Sequence, residues 1–280
     1  MDRRKRILND TELRTERMLL EVANRYHARV FSHVRIADAL AIESSGLSRN
    51  EYGYAFRAHF DFVIARENTT SVFAVEFDGP LHDHDQKTRQ RDSLKKALCC
   101  KVGMPLIRID AAYLQNLERC TLLSWLVEMW FIYEDWCEAQ QRGQIPQDEP
   151  FTFFSVVGSD PFLPSRARLQ RWYEQGHLQD YAPHIDQFAD TDGNVTSLAT
   201  ITAVQGGIIL GRARCRFFAV PFIPSISPRI LSEELAVVDT ADKMARHLHG
   251  DSQTMAHEAV EKARKHLIEN EGYRPLTDHQ

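Results

Sequence analysis

An α/β fold is predicted, with a mixed sheet flanked by helices over residues 1–141 and a smaller α+β region over residues 151–280. Three observations carry this. Runs rich in β-branched and aromatic residues alternate with charged runs of helical length. Their order is helix, strand, strand, strand, helix, strand, helix, the pattern of a sheet covered by helices. The stretch RGQIPQDEP at 142–150 is polar, holds two prolines and divides this series from the second region.

The first helix is expected from Asp10 to about Tyr26, capped by Asp10 or Thr11, with Leu13, Leu20 and Val22 roughly on one side. Residues 28–36 read as a strand and 41–57 as irregular chain. Two strong strands come next at 59–65 and 71–78, joined by the polar turn 66–70 and closed by Gly79 and Pro80. A charged helix is expected over 85–101, with Gly103 as its C-terminal cap. Residues 105–109 read as a short buried strand and 112–141 as one long helix. The second region reads as a helix at 166–175, strands at 195–204 and 208–220, a helix beginning at Ser227 and Pro228, and a last helix over 253–270. Gln205, Gly206 and Gly207 form the expected hairpin turn. No phosphate-binding glycine loop, repeat or low-complexity tract is present.

A chain of 280 residues with 43% hydrophobic content can bury a sizeable core. The formal net charge of -5 speaks against a basic coat for nucleic acid, while leaving room for a local basic surface. Five cysteines, an odd number with no C-x-x-C pair, argue against a disulfide scaffold or zinc site and fit a reducing cytoplasm. No secretory signal is read at the N-terminus. The most apolar stretch, 121–133, is too short to span a bilayer, so no membrane partner is expected.

Chemistry concentrates between residues 60 and 108. Side chains two apart on a strand share a face, so Glu76 and Asp78 project together while Val75 and Phe77 point to the other side. If the neighbouring strand pairs with this one, Asp61 joins them at the same edge. Three converging carboxylates repel one another and raise at least one pKa. A hard cation such as Mg²⁺ or Mn²⁺ relieves that conflict, polarises a phosphate and activates a water. Acids on a strand are more often plain solvated surface. Here the strand is otherwise apolar, and Gly79 and His82 come directly after it.

The blocks DFV at 61–63, EFDGPLH at 76–82, RDSLK at 91–95 and GMPLIR at 103–108 stand in order. Together they resemble the PD-(D/E)xK, restriction-endonuclease-like superfamily, and more closely an uncharacterised branch near the very-short-patch repair endonucleases. The resemblance covers roughly residues 10–112. It implies that Asp61 and Glu76 bind the metal, with the Phe77 carbonyl as a further ligand. The superfamily's usual lysine falls at Asp78, an acid. Two substitutes are available: Lys95 from the following helix, or His82, whose pKa lies near neutrality. Glu16 matches an acidic residue that the superfamily often places near the metal.

Each assignment has a plainer alternative. Asp92 with Lys96, and Lys95 with Arg91, could be helix-surface pairs. Arg108 is expected to pair with Asp92 or a site carboxylate. His84 reads as solvated loop. Lys87, Arg91 and Lys96, with their basic neighbours, either grip phosphates or serve only as solubility charges. The alternating Arg212, Arg214 and Arg216 bind phosphate or line a solvated face. The expected function is a metal-dependent endonuclease acting on DNA, with a homodimer as one option for its assembly. The alternatives are an inactive nuclease fold that binds nucleic acid, or an adaptor that recruits a partner.

Overall fold

The computed structural model describes residues 7–43, 45–78, 86–114, 116–117, 120–152, 160–191, 193–215, 223–251 and 253–276, without the side chains of 86–89. The chain divides into two compact units, Met1–Thr152 with Phe218–Pro224, and Phe153–Phe217 with Ser225–Gln280. The class is mixed α/β, with eight α-helices and two four-stranded sheets among the described residues, one sheet mixed and one antiparallel.

In the first unit, α1 (Asp10–Arg25) is capped by Asn9, one residue before the expected caps. The Glu12 amide donates to the Asn9 side chain at 2.9 Å and the Asn9 amide donates to the Glu12 carboxylate at 2.8 Å, a reciprocal box. The buried stripe is Thr15, Leu19, Val22 and Ala23. Leu20, expected on that side, is exposed, because it lies one position round the helix from Leu19. Strands β1 (Arg29–Arg35), β2 (His59–Ala65) and β3 (Ser71–Phe77) pair antiparallel in that order, and β4 (Leu106–Ile109) joins β3 in parallel. The parallel pair requires a crossover, and α4 (Gln86–Val102) supplies it. Gly103 ends α4 in the left-handed conformation, φ +69°, as expected for its cap.

Two expectations are corrected here. The stretch 41–57 is not wholly irregular: α2 (Ile36–Ala39) precedes it, and α3 (Arg49–Ala55) lies within it behind a Ser48–Glu51 capping box. The long helix expected from residue 112 is broken. A 3-10 turn (Ala111–Leu114) comes first, and α5 (Leu122–Gln141) starts afresh at the Thr121 cap, whose hydroxyl accepts from the Ser124 amide at 3.1 Å. A cap satisfies amides that an uninterrupted helix would bond internally, so it marks a true start.

One face of the sheet packs Phe60, Val63, Ala74 and Leu106 against Ile36, Leu40 and Leu98. On the other, α1 and α5 pack together and the Phe73 ring meets Trp130 at 5.5 Å. The polar stretch 142–150 folds back on α5, where the Gln140 amide donates to the Pro146 and Glu149 carbonyls.

In the second unit, β5 (His184–Ala189), β6 (Val195–Thr202) and β7 (Ile208–Cys215) form an antiparallel sheet in the order β7-β6-β5-β8, with β8 (Arg274–Pro275) at its edge. Strands β5 and β8 were not expected from sequence. The turn between β6 and β7 holds Gly206 and Gly207 at φ +94° and +88°. Helices α6 (Leu163–Glu174) and α7 (Pro228–Leu248) cover one face through Leu169, Ala199, Ile209, Ala236 and Met244. On the other, Leu267 of α8 (His257–Glu269) packs on Phe188, Leu198 and Tyr273.

Candidate active site

The antiparallel pairing of β2 and β3 brings Asp61 and Glu76 together. Each carboxylate reaches the other strand's backbone. The Phe77 amide donates to Asp61 Oδ2 at 2.8 Å, and the Asp61 amide donates to Glu76 Oε1 at 3.3 Å. Lys95 arrives from α4. Its ammonium donates to Glu76 Oε2 at 2.6 Å and to the His59 carbonyl at 2.9 Å, and it sits 5.7 Å from the centre of the Phe60 ring. Both partners of this ion pair are nearly enclosed, with side chains 12% and 13% exposed. Lys95, one of the two residues offered for the position of the missing lysine, thus lies at Glu76; the other, His82, is outside the described residues.

Burial governs the electrostatics. It pushes the Glu76 carboxyl up to about 7; Lys95 pulls it down and the Asp61 charge pushes it up further. Asp61 is also raised by burial, against the Phe77 amide and the Lys95 charge, which lower it. Its remaining influences are Glu12, which raises it, and His33, which lowers it.

Asp78 does not join the pair as a third converging carboxylate. Arg108 of β4, opposite Glu76 in the parallel register, turns its guanidinium onto Asp78 in a two-pronged bridge, Nε to Oδ2 at 3.0 Å and Nη2 to Oδ1 at 2.5 Å. The same Nη2 donates to Asp92 of α4 at 2.8 Å. With its side chain only 3% exposed, Asp78 is charge-paired by the Arg108 guanidinium. The expected partners of Arg108, Asp92 and a site carboxylate, are both present.

Glu16 accepts the Ser32 hydroxyl of β1 at 2.6 Å. Its neighbour one turn earlier, Glu12, is the α1 carboxylate that acts on Asp61. Arg91 and Lys96 are exposed on α4. Lys87 lies on α4, but its side chain is outside the described residues, as are His82, His84 and Arg216. Arg212 and Arg214 face carboxylates of their own unit, Glu271 at 2.9 Å and Asp190 at 3.6 Å.

Sequence reasoning missed three neighbours of the site. Glu12 was hidden among several helix acids. His33 carries no motif. Tyr54 of α3 donates its hydroxyl to the Arg91 carbonyl at 3.0 Å, and burial together with the Glu76 and Asp92 charges pushes its phenol up to about 12. The S-x-x-E pattern at Ser48 could have revealed α3, and with it Tyr54.

Among the described residues, no group of three or more His, Cys, Asp or Glu side chains could hold a metal ion. The donor set at the pair is two carboxylates. No helix among the described residues is long and apolar enough to cross a membrane. Residues 4–121 match a family model described as "Protein of unknown function (DUF2726)", a stretch containing every residue of the site. No curated protein and no solved structure matches the chain.

Proposed function

We propose that the first unit is a restriction-endonuclease-like, metal-dependent nuclease that hydrolyses phosphodiester bonds in DNA. One observation carries the reading: Asp61 and Glu76 face each other across adjacent strands with the Lys95 ammonium at 2.6 Å from Glu76. An Asp, a Glu and a Lys thus meet at one end of a sheet, although the lysine comes from a helix and not from the strand.

The two carboxylates fit Mg²⁺ or Mn²⁺. Such ions take hard oxygen ligands, keep several waters and bind through one or two carboxylates plus substrate phosphate. Asp61 and Glu76 would hold the ion, with the Phe77 carbonyl as a further ligand. When bound, it supplies Lewis-acid polarisation of the phosphate and a more acidic water. The protein's own groups do the rest. Lys95 counters the burial that would otherwise neutralise Glu76. Its ammonium, fixed by the His59 carbonyl, can also hydrogen-bond the attacking water or a phosphate oxygen. The Asp78–Arg108–Asp92 clasp ties the end of β3 to α4, the helix that delivers Lys95. Exposed Arg91 and Lys96 are proposed to grip the nucleic-acid backbone, and the unpaired cysteine pattern of the sequence favours the cytoplasm as the compartment.

A second reading, a nucleic-acid-binding protein without catalysis, draws on the Arg108 clasp at Asp78, which occupies the superfamily's lysine position with a neutralised acid. Linear, circular and single-stranded DNA, and RNA, are incubated with the protein in Mg²⁺, Mn²⁺ or EDTA, beside Glu76→Ala. Metal-dependent cutting that disappears in the variant is the expected result. Tight binding without cutting in either metal would replace the nuclease reading with the second.

A further inference from the structure

Three residues other than glycine adopt a left-handed backbone among the described residues: His27, His33 and Thr69. Two have local explanations. His27 follows the C-cap Tyr26 of α1, where the Ala28 amide returns to the Ala23 carbonyl at 2.9 Å. Thr69 lies in the turn between β2 and β3, closed by the Arg66 amide donating to the Thr70 carbonyl. His33 is in no turn. It stands in the middle of β1 at φ +53°, and the ladder steps over it between the pairs Ser32–Phe62 and Val34–Phe60. Such a conformation is costly inside a strand and persists only where the surroundings enforce it.

The flanking pairs set His33 across from Asp61. The imidazole is exposed, whereas Asp61 is partly buried. A phosphate arriving beside two carboxylates needs a donor at the solvent side. Arg108 is held by Asp78 and Asp92, and Lys95, which can offer a hydrogen bond from within the site, is nearly enclosed beside Glu76 and the His59 carbonyl. We propose that His33 is a substrate-contacting residue of the Asp61–Glu76 site, its imidazole N–H donating to a phosphate oxygen of a bound phosphodiester. This rests on the phosphodiester reading of that site, though not on cutting. An imidazole carries an N–H in either protonation state, so the contact survives across neutral pH.

Glycine separates the side chain from the backbone. His33→Gly keeps the left-handed backbone without steric cost and removes the donor. The full-length protein is measured for melting temperature, for binding of a short single-stranded and a duplex DNA, and for cutting in Mg²⁺ and Mn²⁺. His33→Gly is expected to melt at or above the wild-type temperature, yet to bind and cut about ten- to a hundredfold less well. Asn and Asp both tolerate the left-handed backbone, and only Asn donates. His33→Asn should therefore outperform His33→Asp about tenfold or more, which decides the matter should the glycine variant fold poorly. Equal binding and cutting by wild type and His33→Gly would overturn the inference while leaving the nuclease reading intact. Binding lost in His33→Gly, with no cutting by wild type, would support the contact and remove the nuclease reading. A wild-type chain that neither binds nor cuts DNA would remove both.

Discussion

At the residue scale, Glu76 makes a demand on the fold. Its carboxyl titrates near 7 in the folded chain against an ordinary 4.5, because burial outweighs the Lys95 charge. Between those values the folded state holds the proton and the unfolded state has lost it. Stability therefore falls as pH rises from about 4.5 to about 7, by at most roughly 3 kcal/mol, and then levels off. Glu76→Gln removes this titration. Relative to wild type, the variant should gain stability between pH 5 and pH 8 in parallel thermal melts while losing any metal-dependent cutting. A constant difference across that range would mean that Glu76 is not held in a burial-raised state. Retaining an acid that costs stability at neutral pH is understandable where the acid has a task. Lys95→Met should abolish cutting and leave Glu76 without the charge that lowers its pKa, so the fall in stability should extend to higher pH than in the wild type.

At the scale of elements, short side-chain devices set where helices begin. Thr121→Ala removes the cap of α5 and should cost about 1 kcal/mol, read as a lowered denaturation midpoint with unchanged slope. In the second unit, Gly211 of β7 lets α7 approach closely. A Cβ there would lie 2.2 Å from the Ala236 carbonyl oxygen and 2.2 Å from Thr240 Oγ1. Backbone cannot yield as a flexible side chain can, so Gly211→Ala should destabilise the second unit by about 1–3 kcal/mol or more, measured by denaturant unfolding. Strand β1 is a sheet edge whose outward positions carry Arg29, His33 and Arg35. Charge and the bend at His33 both discourage another strand from adding there.

For the whole molecule, the net charge of -5 limits how any nucleic acid is held. On the proposed nuclease reading, affinity would come from a local cluster such as Arg91 and Lys96, not from a general basic field. Binding should weaken steeply with salt. Changing Arg91 and Lys96 together to Ala should reduce the slope of log affinity against log salt concentration by up to roughly two, measured by titration at several ionic strengths. An unchanged slope would place the phosphate contacts elsewhere. Each unit also has its own core, Phe60 with Leu98 and Leu106 in the first, and Leu169 with Ile209 and Met244 in the second.

By itself the sequence determined the α/β class, the strands at 59–65 and, to within one residue, 71–78, the helix closed by Gly103, and a set of nominated residues that included Asp61, Glu76 and Lys95 beside Glu16, Asp78 and His82. The elements rest on periodicity, turn chemistry and local order, which act over a few residues, and Lys95 was nominated only by the family resemblance. Strands β5 and β8 lacked such a signal. HIDQFA at 184–189 has weak alternation, and a two-residue strand exists only because β5 lies beside it. The tertiary structure alone decided what each acid does. Asp78 and Glu76 share a strand face, yet β4 brings Arg108 to one while α4 brings Lys95 to the other. It likewise brought Glu12 within electrostatic reach of Asp61, set Glu16 against the Ser32 hydroxyl, and twisted His33 out of its ladder. Partners from distant segments fix burial and charge, and the free energy of a buried carboxylate depends on them far more than on its neighbours in the chain.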